Sequence, residues 1–194
     1  MRKLSAVLAV ALAGALVGPS QAAVLNWNST LSGSQEIPPN ASTATGFGSV
    51  RFDSVTNVLS LNVQWQGLTG DSIFAHIHCC VSPPPGNVGI ALDLWLLGDP
   101  RPATGSYSAL YDLDDVNPFR AGFTGSNGGT ALSAMQALIG AMNAGEGRAY
   151  YNIHTAQFPG GEIRGNLAVP EPATLSLLIG GLGLLLAGRR FSRS

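Results

Sequence analysis

Residues 71–80 read DSIFAHIHCC. Side chains alternate across a strand, so Ile73, Ala75 and Ile77 share one side and Phe74, His76 and His78 the other. That period of two predicts a strand over 72–79 with an apolar face turned inward. The stretch Pro83-Pro84-Pro85-Gly86-Asn87 that follows belongs to a loop, because consecutive prolines supply no ladder donors.

The same alternation recurs along the chain. Phe47–Asp53 and Val58–Trp65 flank a turn rich in Asp, Ser and Asn, which predicts a hairpin. Ile90–Leu97, Gly105–Leu113, Ala149–Thr155 and Gly161–Ala168 continue the series, with loops over 99–104 and 114–129. One segment departs from it. In TALSAMQALIGAMNAG (130–145), Leu132, Met135, Leu138, Ile139 and Met142 recur at helical spacing, Thr130 suits the N-cap and Gly145 the end. A stripe of Met and Leu at this spacing packs into a core. The expected architecture is all-β: an antiparallel sandwich or barrel with one amphipathic helix before the last two strands. No internal repeat signals a solenoid or propeller.

The two ends of the 194-residue chain read differently from its middle. Residues 1–22 carry Arg2 and Lys3, an apolar run from Leu4 to Val17, and Ser20-Gln21-Ala22, the pattern of a cleaved secretory signal peptide. At the other end, 173–187 are all apolar, Gly, Ser or Thr, and the run stops at Arg189, Arg190 and Arg193. Basic residues after an apolar run stay cytoplasmic, which agrees with an exported amino end. Pro170-Glu171-Pro172, the apolar segment and Arg189-Arg190 together resemble the PEP-CTERM sorting signal of Gram-negative bacteria. The resemblance implies recognition of 170–194 by an exosortase, an inner-membrane intermediate held through 173–187, and delivery to the cell surface or extracellular matrix. A plain carboxyl-terminal anchor is the simpler alternative. Residues 23–169 remain as one domain, large enough to bury a core.

That domain contains five arginines against ten acidic residues and no lysine. Without a basic patch interleaved with aromatics, nucleic acid is excluded as a partner. No G-x-S-x-G, Walker loop or dinucleotide fingerprint is present, so no catalytic residue or organic cofactor is indicated. Asp112, Asp114 and Asp115 lack the Gly and distal Glu of an EF-hand loop and read as a solvated turn.

The histidines are the chemical signal. All three in the chain, His76, His78 and His154, fall on the strand faces opposite the apolar ones. If the two strands are neighbours, three neutral imidazoles converge on the outside of the barrel, a ready ligand set for copper or zinc. Such rings also occur in strands without metal. A hairpin centred on Phe158 sets Glu162 opposite His154 and Arg164 opposite Asn152. Glu162 would then orient or join the ligands, or else form a cross-strand ion pair with Arg164.

Cys79 and Cys80, the only cysteines, are adjacent. Across a trans peptide their Cα atoms stand about 3.8 Å apart, below the usual disulfide range. Three outcomes compete: a vicinal bridge, bridges to another molecule, or thiolates held by a metal beside the histidines. Strand alternation turns Cys80 to the histidine side, where it would be a further ligand, unless the strand ends at Cys79.

Several of these stretches form a pattern. Leu31-Ser32-Gly33 with Glu36 and Pro38, Ala75-His76-Ile77-His78, Asn152-Ile153-His154-Thr155 and Pro159-Gly160-Gly161-Glu162-Ile163-Arg164-Gly165 resemble the CHRD domain over roughly residues 28–168. The resemblance implies an immunoglobulin-like β-barrel with no established enzymatic activity and a binding or structural role toward an unknown extracellular partner. The H-x-H strand is also similar to the copper strand of Cu/Zn superoxide dismutases, but no further His exists for a copper and zinc pair. The competing class is therefore a copper or zinc metalloprotein on His76, His78 and His154, redox-active or dismutase-like. A third, an adhesive component of exopolysaccharide, finds no clear aromatic sugar platform.

Overall fold

Alternating strands carry only half a core each, and they bury it here by curling into one sheet. The computed structural model describes residues 23–168. The signal-peptide reading of 1–22 and the sorting segment 170–194, with its apolar run 173–187, lie outside the described residues. Among the described residues no helix is long and apolar enough to cross a membrane.

The strands are β1 (Val24–Ser32), β2 (Thr45–Asp53), β3 (Val58–Gln66), β4 (Ser72–Cys79), β5 (Ile90–Trp95), β6 (Gly105–Asp112), β7 (Ala149–Thr155) and β8 (Ile163–Asn166). Helices α1 (Ala121–Ser126) and α2 (Ala131–Ala144) lie between β6 and β7. All eight strands form one sheet in the order β5-β4-β7-β8-β1-β2-β3-β6, and every pairing is antiparallel.

The sheet is a nearly closed barrel whose edge strands, β5 and β6, meet through side chains. Tyr111 on β6 donates its hydroxyl to the carbonyl of Asp93 on β5 at 2.9 Å. Trp95 on β5 lies 5.3 Å from Tyr107 and 5.0 Å from Trp65, ring centre to ring centre. Aromatic packing thus joins the edges where the ladder stops. Inside, Trp27, Leu59, Val63, Ala75, Ile77, Leu92, Tyr151, Ile153 and Ile163 are fully buried in one core.

Helix α2 forms where its caps predict. Thr130 accepts a hydrogen bond from the Ser133 amide, and the Ser133 hydroxyl accepts from the Thr130 amide. Gly145, with φ 65°, takes the chain out of the helix. The stripe of Ala134, Leu138 and Met142 joins the barrel core.

Three differences from the sequence reading have local causes. Strand β1 went unread because its inward set, Trp27, Ser29 and Leu31, has a hydroxyl in the middle that breaks the apolar period. Helix α1 sits in the stretch read as loop, being six residues long and rich in Gly and Ser. Strand β5 stops at Trp95, and Leu96 and Leu97 are exposed beyond it.

Burial on β7 is informative for function. Every one of its seven residues is buried, on both faces, so its outer face is covered as well as its inner one. The expectation of histidines on an open outer surface is corrected accordingly.

Urea unfolding checks the edge closure. Trp95→Ala is expected to cost about 3–5 kcal/mol, whereas Leu110→Ala, on the other edge strand but largely exposed, stays within about 0.5 kcal/mol.

Candidate metal centre

Strands β4 and β7 pair directly, with Phe74 opposite His154, His76 opposite Asn152 and His78 opposite Tyr150. That register puts the three imidazoles on one face. Ring centres lie 5.2 Å apart for His76 and His154, 5.5 Å for His76 and His78, and 6.3 Å for His78 and His154. One ring nitrogen from each lies within 4.8 Å of those of the other two. This is looser than the roughly 4 Å that ligands at about 2.0–2.1 Å from one ion require, so the rings must draw together slightly to share one.

The second nitrogen of two of the rings is hydrogen-bonded elsewhere, and this decides which of their nitrogens is free. His78 Nδ1 lies 2.7 Å from the Val88 carbonyl and His154 Nδ1 lies 3.0 Å from the Pro159 carbonyl. A carbonyl only accepts, so both Nδ1 atoms carry the proton and both Nε2 atoms keep a bare lone pair. His76 is turned the other way: its Nε2 stands 3.4 Å from Asp93 Oδ1. Asp93 is itself held by Arg120, whose Nε donates to Oδ2 at 2.6 Å. The nitrogens left over, His76 Nδ1, His78 Nε2 and His154 Nε2, are buried and have no hydrogen-bond partner.

The cover over this face is built by loops. Arg164, fully buried on β8, donates to the Gly86 carbonyl at 2.9 Å and to Asn87 Oδ1 at 3.0 Å. Its guanidinium lies 3.4 Å from the centre of the Tyr150 ring, and Tyr150 stacks on His78 with ring centres 4.8 Å apart. Asn87 Nδ2 in turn donates to the Ile37 carbonyl. Arg164 thereby fixes the proline loop that supplies Val88 to His78. Phe74, 4.4 Å from His154 and 5.1 Å from His76, closes the apolar side.

Burial keeps the cluster neutral. Loss of hydration is the largest cause of a pKa lowered to about 3 for His76 and to about 4 for His154, and the neighbouring imidazoles add to both. His78 is lowered too, chiefly by burial, with the Arg164 charge also acting against its protonation. Nearby, Asn152 donates to both oxygens of Glu36. Burial raises the Glu36 pKa to about 7, against the opposing pull of Asn152 and Arg164.

Two residues named as further ligands stand apart from the cluster. Glu162 is fully buried, and its carboxylate accepts from Ser42 Oγ, from the Thr69 amide and hydroxyl, and from Thr155 Oγ1. It contacts neither His154 nor Arg164, although Arg164 does face Asn152 as the hairpin predicts. Cys79 and Cys80 are bonded to each other, with the peptide between them cis rather than trans. Cys79 enters the core and Cys80 Sγ faces the Ala137 carbonyl on α2.

Asp93, Arg120 and the carbonyls of Val88 and Pro159 were not singled out from sequence. Asp93 had a signal, as the one charge in the apolar run Ile90–Leu97; a backbone carbonyl leaves none.

A model of the CHRD domain matches residues 27–167, and one of the PEP-CTERM protein-sorting motif matches 168–194. No curated protein and no solved structure matches the chain.

The two kinds of shifted group give opposite pH slopes in chelator-treated protein. The imidazoles bind protons more tightly when unfolded, so their contribution is complete above pH 6.5 and lost as pH falls toward 4. Glu36 binds its proton more tightly when folded, so its contribution is complete below 4.5 and lost as pH rises through about 7. Urea midpoints are expected to drop from pH 6.5 to 4, since more imidazoles than carboxylates are involved. Glu36→Gln is expected to gain on wild type between pH 4.5 and 7, by up to about 3 kcal/mol; a difference independent of pH would contradict the assignment.

Proposed function

We infer that this chain, which belongs to the CHRD domain family, is an exported, surface-sorted protein whose barrel holds a transition metal, copper or zinc, on His76, His78 and His154. The sorting motif over 168–194 supports the first half, since it implies recognition by exosortase machinery and delivery to the surface of a Gram-negative cell.

One observation carries the second half: three imidazoles gathered at one locus, each with a buried nitrogen that has no partner. A buried polar atom without a partner costs about 1–3 kcal/mol. Three together are a large fraction of the stability of an ordinary domain. Scattered singly they would be tolerable defects; collected at one point and stripped of protons, they are a ligand set. Two of the second nitrogens complete the pattern, because metal-bound histidines donate their other N–H to a carbonyl or carboxylate, the roles of Val88 and Pro159 here; Asp93 Oδ1 stands 3.4 Å from the third ring without a hydrogen bond to it.

The enclosure favours holding a metal over turning over a substrate. A dismutase-like reaction needs an open coordination position, and here every partnerless nitrogen is buried. We therefore assign a binding role, in which metal ties β4 to β7 beneath the proline loop.

Elemental analysis of the full chain, purified in detergent and exposed to Cu or Zn, is expected to give about one metal per chain. His76→Ala and His154→Ala, shown by circular dichroism to remain folded, are expected to lose it, and Asp93→Ala to weaken it roughly 10–100-fold. Metal content unchanged in the folded histidine variants would contradict the reading.

A further inference from the structure

Resting on that reading, we propose that the site selects a monovalent soft cation, Cu(I), over the divalent ions Zn(II) and Cu(II). The argument is one of charge, and it begins with the donors. Among the described residues the converging group consists of histidines alone, with no carboxylate or thiolate among the ligating atoms. Cys80 is committed to Cys79, and Glu162 is saturated by Ser42, Thr69 and Thr155. Three neutral imidazoles therefore leave the ion its full charge. The cost of burying an ion rises as the square of that charge, so a divalent ion meets about four times the penalty of a monovalent one.

Asp93, the carboxylate that approaches His76, is already ion-paired with Arg120. Arg164 is stacked on Tyr150, which is itself stacked on His78. Each guanidinium is a fixed positive charge beside the cluster, and it repels a divalent ion about twice as strongly as a monovalent one.

Coordination number points the same way. Zn(II) takes four ligands, and Cu(II) prefers a tetragonal set. The site offers three buried nitrogens, and among the described residues no fourth protein ligand is gathered with them. A d¹⁰ monovalent copper ion is satisfied by three donors in a plane and does not need one.

Anaerobic titration of the full chain in detergent tests this, with Cu(I) and Ag(I) measured against a colorimetric monovalent-copper chelator and Zn(II) against a zinc indicator. Cu(I) and Ag(I) are expected to bind one per chain and at least about tenfold more tightly than Zn(II), with binding abolished in His76→Ala and in His154→Ala. Arg120→Gln supplies an arm that leaves the three histidines themselves unsubstituted and acts on them through its charge and through Asp93. Coulomb energy is linear in ion charge, so removing this cation is expected to raise log affinity for Zn(II) about twice as much as for Cu(I). Zn(II) bound as tightly as Cu(I), with both lost in the histidine variants, would overturn the selectivity and leave the three-histidine site standing. If no ion binds in a histidine-dependent way, both fall.

Discussion

The hydrogen-bonded register between β4 and β7 places every imidazole in the cluster. Phe74 opposes His154, and His78 opposes Tyr150, so a slip of one residue on either strand would send its histidines into the barrel core and its Ile and Ala side chains outward. The register is strongly specified because the other face has no tolerance for error: Ala75, Ile77, Tyr151 and Ile153 are all fully buried. Packing inside the barrel thus fixes chemistry outside it. The apolar face costs the protein nothing to maintain beyond ordinary folding, and the polar face is carried along with it.

Much of this was legible in the sequence. Seven of the eight strands and the long helix follow from periods of two and 3.6 residues, and Thr130 and Gly145 mark the helix ends. Local chemistry failed where an inward position is polar, as at Ser29 in β1, or where an element is too short to show a period, as in α1. The order of strands around the barrel, and with it the adjacency of β4 and β7, depends on contacts far apart in the chain, and no local pattern encodes it.

For the site, the three histidines and their common face were readable, but their burial was not. Alternation distinguishes inside from outside; it does not say that a proline loop and the turn at Pro159 fold back over the outer face. Arg164 illustrates the limit. Hairpin geometry sets it opposite Asn152, yet its work lies 77 residues away, on Asn87. Glu162 shows the converse: a carboxylate close to His154 in sequence, but fully occupied by three hydroxyls and an amide from Ser42, Thr69 and Thr155.

The covered face is what turns three strand histidines into a chemical site, because dehydration removes their protons and the loop carbonyls choose their tautomers. Nitrogen-15 NMR of the imidazole rings in chelator-treated protein at pH 7 reads both at once. The account requires three neutral rings, with His78 and His154 protonated on Nδ1 and His76 on Nε2. Rings that titrate near pH 6.5, or His78 and His154 with the proton on Nε2, would mean that the free lone pairs do not face one another, and the metal centre would go with them.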